Sequence, residues 1–408
     1  MKPVIWLMIV LLLCPLASLA QAAEPTLWVA TDMHYLSPSL TDYGSVYTWA
    51  IENGDGKAMR YMDEVMDAFC DEVIAKKPQA LILSGDLTFN GEKQSHLDLA
   101  KKLHKVEEAG VPVLVIPGNH DLNNALAYRY EGEEYSPVDT VTAEEFREIY
   151  EPYGFSEALS VDTASLSYVY SLAPGWRVIM LDVNGVEVPS VMMGVTQLWL
   201  QEQLAEAQKA GDRGVAVSHQ NLLQHSPLFS FGYVITNNDD LLALYEGDDT
   251  VAVNLSGHIH IQHTAVSGGG VPEIVTSSLA VNPSQYGVLT LGEAGGSYHA
   301  QPVDVSAWAK GSENPDLKNY SAYVHDFFWN NAYRQGYDAV RSDKDFKELG
   351  RYFADVNTAY FAGYVPGELD SEELLTRWHN QGGFMGRYIQ TILAEAGVDH
   401  TRFAFDYR

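Results

Sequence analysis

The chain has 408 residues, long enough for one large domain or two. Its 25 basic residues stand against 54 acidic ones, a net charge of −29. Such a surface repels genomic DNA and long RNA, and admits a small anion only where local positive charge is supplied. With two cysteines, Cys14 and Cys70, a disulfide-built scaffold is excluded.

The first residues read as a secretory signal. Lys2 is the only early charge, residues 4–13 are apolar, and Ala20-Gln21-Ala22 offers a small-x-small cleavage site. Pro15 and the alanine cluster favour cleavage after Ala22 over an uncleaved anchor. Leu13 is too large to precede a lipid-modified Cys14. The expectation is an extracytoplasmic protein (secreted, periplasmic or cell-surface) with no stable membrane insertion once residues 1–22 are gone. Cys70 is then the single thiol. It shares a helical stripe with Met59, Met62, Met66, Phe69 and Val73, which predicts a buried, inert side chain.

Five apolar runs follow, each ending on residues of metal-ligand type. Residues 27–30 lead into Thr31-Asp32-Met33-His34, and 80–83 into Ser84-Gly85-Asp86. Residues 113–116 lead into Pro117-Gly118-Asn119-His120-Asp121, 215–217 into Ser218-His219, and 251–255 into Ser256-Gly257-His258-Ile259-His260. Short apolar runs closed by turn residues read as buried strands. Open α/β sheets bind ligands beyond the carboxyl ends of such strands. A lone histidine after a strand is more often a hydrogen-bonded core residue; the ordered set, paired with Asp and Gly, is what carries specificity. Carboxylate, imidazole and amide oxygen together suit a borderline divalent metal such as Mn, Fe or Zn. Two such ions about 3.5–4 Å apart can hold a bridging hydroxide and polarise a phosphoryl oxygen.

Between these runs, residues 35–57 are polar and aromatic, a loop expected to wall the pocket. Helices are predicted at 58–76 and 94–109, and Thr142-Ala143-Glu144-Glu145 has capping-box spacing. His96 and His104, on the second helix, are expected in structural roles, at the surface or half-buried. Strands are predicted at 166–172 and 176–182 around Ala173-Pro174-Gly175, and Thr196 is expected to cap a helix over 197–210. His225, His263, Asn221 and Asn123 adjoin the five blocks and are weaker candidates to line the pocket. After His260 the pattern is strand, at 264–266, 273–277 and 287–291. Near Val305 strand patterns stop and helices are predicted at 317–340, 344–361, 371–380 and 385–396. The first is rich in aromatics, including Tyr320, Tyr323, Phe327, Phe328, Trp329 and Tyr333. The chain therefore divides into 24–302, a catalytic domain, and 303–408, a bundle of four helices.

The ordered set D-x-H, G-D, G-N-H-D, H and G-H-x-H resembles the calcineurin-like metallophosphoesterases from the first strand to the last block. That resemblance implies an α/β fold, an α/β/β/α sandwich with the helical bundle appended. It implies two divalent metal ions, the first on Asp32, His34, Asp86 and His260. The second would sit on Asp86, Asn119, His219 and His258, with Asp86 bridging. His120 is implied as the catalytic histidine that stabilises the phosphoryl oxygens or protonates the leaving oxygen. Asp121 is expected to orient it and raise its pKa. Gly85-Asp86-Leu87-Thr88 followed by Asn90-Gly91-Glu92 looks like the cyclic-nucleotide phosphodiesterase branch, although that branch often has His-Pro where this chain has His219-Gln220. The implied activity is phosphodiester hydrolysis by a metal-bridging hydroxide, with cyclic nucleotides as one candidate substrate class. The alternatives are a phosphomonoesterase or nucleotidase, an enzyme acting on cell-envelope polymers, and an extracellular binding protein on a relic scaffold. The bundle is expected either to cover the catalytic edge and help select substrates or to pack behind the domain.

Overall fold

The computed structural model describes residues 24–186, 188–340 and 346–408. The segment expected to be a signal, with Cys14, lies outside the described residues.

In chain order, β1 (Thr26–Ala30) runs to the first ligand turn, and α1 (Ser45–Glu52) follows within the stretch expected to be a loop. This short helix buries Tyr47 and Ile51 against Leu36, Leu40, Met59 and Tyr130. It is too brief, and too closely flanked by Gly44 and Gly54, to show periodicity. Then come α2 (Met62–Lys76), β2 (Ala80–Leu83), α3 (Lys93–Glu108) and β3 (Val113–Val115). Cys70 sits on the buried face of α2, and burial pushes its thiol up to about 12, an inert state. A small hairpin, β4 (Tyr128–Glu131) and β5 (Glu134–Pro137), precedes α4 (Ala143–Ile149). The capping box at Thr142 and Glu145 forms as its spacing predicts.

The chain continues through β6 (Ser160–Val161), β7 (Tyr168–Ala173), β8 (Trp176–Leu181) and α5 (Gly194–Ala210). Met193, not Thr196, holds the N-cap position of α5. Thr196 lies inside the first turn, where its hydroxyl donates to Asp162 Oδ2 at 2.6 Å. A tertiary carboxylate has taken the hydroxyl that a cap would use. Next are β9 (Arg213–Ser218), α6 (Asn238–Glu246), β10 (Val251–Ser256), β11 (His263–Val266), β12 (Pro272–Val275), β13 (Gln285–Leu291) and β14 (Gly295–Pro302). The helical segment holds α7 (Val305–Trp308), α8 (Pro315–Lys318), α9 (Tyr320–Ala339), α10 (Phe346–Ala362), α11 (Glu372–Gln381) and α12 (Gly383–Leu393). Strands do not stop near Val305. A last one, β15 (Arg402–Asp406), pairs antiparallel with β14 and returns the chain to the first sheet.

Besides the β4-β5 hairpin, two large sheets form among the described residues, ordered β15-β14-β13-β1-β2-β3 and β11-β12-β10-β9-β8-β7-β6. Period-two alternation tells how they stack. Val178 and Met180 of β8, Val215 and Val217 of β9, and Val253 and Leu255 of β10 join one core with Leu27, Val29, Ile82 and Leu114, which share one face of the first sheet. Their alternates Ile179, Leu181 and Ala216 face Leu200 and Leu204 of α5 and Leu241 and Tyr245 of α6. Helices α2 and α3 cover the outer face of the first sheet through Val65, Phe69, Leu99 and Leu103. The result is an α/β/β/α sandwich. The bundle has its own core around Leu349, Phe353, Trp378 and Ile389, and that core takes in Ile259 and Ile261 of the last ligand turn. Among the described residues, no helix is long and apolar enough to cross a membrane.

Candidate metal centre

Strand pairing brings the five blocks together. In the first sheet Ala30 lies opposite Leu83, and Leu83 opposite Val115, so the three following turns leave one edge at one level. Backbone bonds tie the turns to each other: Asp32 N–H donates to Gly85 O and His34 N–H to Asp86 O, each at 3.0 Å. In the second sheet Gly257 N–H donates to His219 O at 3.0 Å. The turns are tight enough to force left-handed backbone at Asp32 (φ 52°), His34 (44°), Asp86 (48°), His258 (68°) and His260 (64°). Non-glycine residues adopt this region at a cost, and such strain gathers at functional sites. Gly118 shows how close the turns come: a Cβ there would lie 2.1 Å from Asp86 Oδ1.

The side chains converge in two overlapping groups. Asp32, His34, Asp86 and His260 each offer a ligand atom within 4.8 Å of the others, and so do Asp86, His219 and His258. Asp86 is common to both. His260 Nε2 is 3.3 Å from Asp32 Oδ1, His34 Nε2 is 3.8 Å from Asp86 Oδ2, and His219 Nε2 is 3.3 Å from Asp86 Oδ2. Asn119 Oδ1 joins the second group, 3.2 Å from His219 Nε2. Hydrogen bonds select the free ring nitrogens. His219 Nδ1–H donates to Ser84 O at 2.9 Å, which leaves the Nε2 lone pair free for a cation; His258 Nε2–H donates to Gly232 O at 2.8 Å, which leaves that of Nδ1.

The donor set fits cations. Asp32 Oδ2 accepts from Thr31 Oγ1 at 2.7 Å and from His258 N–H at 2.9 Å. Asp32 Oδ1 is buried with no hydrogen-bond donor and faces the ring nitrogens of His34 and His260. A buried carboxylate oxygen left bare is costly, and a metal ion satisfies it. Charge states agree. Burial alone would raise the Asp86 carboxyl, but His219 and His120 hold it well below the usual range. Burial lowers His34 well below its ordinary value and His258 to about 4, so both rings are neutral, the form a metal ion binds. His219 is the exception: burial would lower it, yet Asp86 raises it to about 9. A cation taking its place between the two would displace that proton.

His120 and Asp121 do not form the pair expected. Asp121 is buried, and its carboxylate accepts from the N–H groups of Leu87, Thr88 and Gly118 and from the Thr88 hydroxyl, at 2.8–3.0 Å. With those oxygens committed to joining two ligand turns, none reaches the His120 ring. That ring is oriented by Phe89 O and Asn90 Oδ1, 2.8 and 3.0 Å from Nδ1. Its Nε2 points inward, 4.0 Å from Asp86 Oδ2. Asn90 is itself held through its N–H by Glu92, whose buried carboxyl is pushed up to about 7 by desolvation.

The other histidines divide. His96 is fully buried, not at the surface, with contacts to Tyr150 Oη, Thr88 Oγ1 and Asp121 O. His104 is exposed beside Glu108. His225 and His263 meet each other at 2.9 Å between Nδ1 atoms and end on Glu273 and Glu395, outside both ligand groups. His263, Glu395 and His400 also lie close together. The two rings there are stacked, centroids 3.9 Å apart at 23°, so their lone pairs run side by side. In the metal centre His34 and His260 stand at 71° and His219 and His258 at 65°, and their nitrogens converge. Asn221 props the last turn by donating to Gly257 O at 3.0 Å, and Asn123 bonds Val141 through its backbone.

Residues 25–262 match the family model for calcineurin-like phosphoesterase. The chain belongs to that family, whose members are metal-dependent phosphoester hydrolases. Residues 303–399 match the model for the C-terminal domain of cyclic nucleotide phosphodiesterase. Among solved structures, a dimetal phosphatase from Danio rerio is similar with 13% identity and a TM-score of 0.50, over 69% of this chain and 96% of that one. PhoD is similar at 11% identity and TM-score 0.42, over 69% of this chain and 66% of that one. A 5'-nucleotidase from Candida albicans shows 15% identity and TM-score 0.39, over 76% of this chain and 58% of that one. No curated protein sequence matches the chain.

In this calcineurin-like phosphoesterase the C-terminal helices reach the walls of the centre. Ile259 and Ile261, flanking His260, belong to the bundle core. Phe229 packs against Phe384 and Tyr388 of α12 at 5.7 Å, and Tyr233 of the same loop lies 5.3 Å from the His258 ring. Across the site, Asn331 of α9 donates to Glu52 O and Gly54 O, both at 3.1 Å. Asn90, Tyr233, Thr31 and the Ser278 hydroxyl, which donates to Asp32 O at 2.8 Å, carry no metal-ligand signature and were not legible as site residues. Asn90 alone had a signal, in the Asn90-Gly91-Glu92 stretch.

Proposed function

We propose that the protein is an exported phosphodiesterase acting on small phosphodiesters, with cyclic nucleotides as the first class to test. What supports the diester reading over a monoesterase is the union of the two matched segments in one site. The segment that resembles the cyclic nucleotide phosphodiesterase C-terminal domain shares its core with Ile259 and Ile261, between and beside two ligands. Asp32, His34, Asp86 and His260 would hold one divalent cation, and Asp86, Asn119, His219 and His258 the other. When bound, the cations supply Lewis acidity toward the phosphoryl oxygens and lower the pKa of water at the site.

The chain's own groups account for the rest. Asp86 holds its position through Oδ1, which accepts from His120 N–H at 2.8 Å. His120 Nδ1–H is fixed on carbonyl oxygens, so its Nε2 is the atom that faces a bound ester. As a hydroxide oxygen bonds to phosphorus and the ester P–O bond breaks, a protonated His120 Nε2 can give its proton to the leaving oxygen.

The test is a panel of bis-p-nitrophenyl phosphate, p-nitrophenyl phosphate, 3',5'-cyclic nucleotides and 5'-nucleotides, run with added Mn, Zn or Fe(II) and with metal content measured. The expected result is higher kcat/KM on diesters than on the matched monoesters. A monoester preference with every metal would overturn the diester assignment, and bound metal without turnover would favour a binding protein. Export belongs to the same proposal. The mature chain is expected to begin at Ala23 by intact-mass measurement, and an unprocessed Met1 start in the native cell would refute cleavage.

A further inference from the structure

Lys57 is the unexplained charge of this molecule. Among the lysines and arginines of the described residues, it alone is buried, with 7% of its surface exposed. Its ammonium has one partner, Asp55 Oδ2 at 3.2 Å, and the Asp55 side chain is itself 59% exposed. Lys102 makes the contrast: a little more exposed, it is gripped by both Asp63 and Asp67 at 2.9 and 2.8 Å. A buried ammonium with a single, solvent-screened partner is expensive to maintain unless something else uses its remaining N–H donors.

Its position says what that would be. The next residue, Ala58, donates its N–H to Ala280 O at 2.7 Å. The segment just before Ala280 clamps the first ligand turn, with Leu279 N–H on Thr31 O at 3.0 Å and the Ser278 hydroxyl on Asp32 O. Lys57 is thus stapled beside the Asp32 turn. On its other side Gly56 lies against Phe328 of the bundle, where an added Cβ would come within 2.8 Å of the ring, and Asn331 holds Gly54.

We propose that Lys57 binds a non-bridging phosphoryl oxygen of the substrate, as a third positive group beside the two-cation site, and is held for that task between the bundle and the Asp32 turn. An ester oxyanion entering the centre meets donors that a point charge on a long stem can aim at it. The inference rests on the phosphoesterase reading for its substrate, but not for its ligand, since inorganic phosphate presents the same oxygens.

The experiment measures binding of inorganic phosphate to the metal-loaded full chain by calorimetry, in wild type, Lys57→Met and Lys57→Arg. Metal stoichiometry and the thermal midpoint are followed in parallel. The expected result for Lys57→Met is phosphate affinity lower by about tenfold or more, the worth of a charge-assisted hydrogen bond. Two metals per chain and an unlowered midpoint are expected alongside, because the substitution removes a poorly paired buried charge. Lys57→Arg should restore much of the affinity. Wild-type phosphate affinity in Lys57→Met, or a lowered midpoint with phosphate binding untouched, would overturn the proposal in favour of a structural ion pair. If Lys57→Met does not fold, Lys57→Gln carries the same comparison. Should no ester be turned over while phosphate binding still depends on Lys57, the hydrolase reading fails and the site stands.

Discussion

Asp86→Asn is expected to empty both metal positions and abolish turnover while the fold survives. Asparagine is the right replacement because Asp86 sits at φ 48°, a left-handed conformation that asparagine tolerates and alanine does not. It also keeps an oxygen for the His120 N–H, now met by Asp86 Oδ1 at 2.8 Å. What it removes is the charge that both ligand groups share. Without that carboxylate, two cations a few ångströms apart would repel each other with only Asp32 to offset them. Metal affinity should fall by more than the about 10–100-fold that an outer partner is worth. Turnover should drop by at least about 10³-fold, the upper end for one oxyanion-hole donor. Elemental analysis of the dialysed variant, with circular dichroism as the check on folding, decides the matter. Two metals per chain retained in a folded variant would sink the bridging role, and loss of one metal only would assign Asp86 to a single position.

The parts of this protein that were readable in its sequence share a physical cause. The five ligand blocks follow strands buried on both faces, so each apolar run is continuous and each ends abruptly in glycine or a polar turn. Gly118 and Gly257 are there because a Cβ would strike Asp86 Oδ1 or Thr31 Oγ1, both at 2.1 Å. Backbone crowding of that kind leaves a mark in the sequence. The residues that stayed hidden act through contacts with no local pattern. Asp121 follows His120 directly, and proximity along the chain suggested a pair; the fold instead spends its carboxylate on Leu87, Thr88 and Gly118. Asn90 took the orienting role from a separate loop. β15 was missed because five residues of alternating Phe, Ala and Phe after a helical segment are a weak signal until β14 offers an edge. That strand also decides how the bundle's role is best tested. A chain cut at Pro302 would lose β15 and bare β14, so point substitutions at Phe229 or Asn331 are the better probe of the bundle's grip on the site.

His120→Asn should behave differently from Asp86→Asn: both metals stay, and the chemistry fails. The ring lies outside the ligand groups and is partly open to solvent, with 28% of its side chain exposed. Its Nδ1 is committed to Phe89 O and Asn90 Oδ1, so only Nε2 is free to serve a substrate. If that atom delivers the leaving-group proton, removing it should cost about 10²–10⁴-fold on alkyl or ribosyl esters, the range for a positioned general acid. It should cost far less on bis-p-nitrophenyl phosphate, because nitrophenolate departs without a proton. Equal losses on both ester types would instead assign His120 to charge stabilisation of the phosphoryl oxygens. Asn90→Ala separates orientation from chemistry. Phe89 O still fixes Nδ1–H in that variant, so the loss should be smaller than in His120→Asn and should keep the same dependence on leaving group. Asp121→Asn is the control for the pair that does not form. It should lower the thermal midpoint by loosening the Leu87, Thr88 and Gly118 contacts, and leave the ratio of rates on the two ester types as in wild type. A shift in that ratio for Asp121→Asn with the midpoint unchanged would restore Asp121 as the partner of His120.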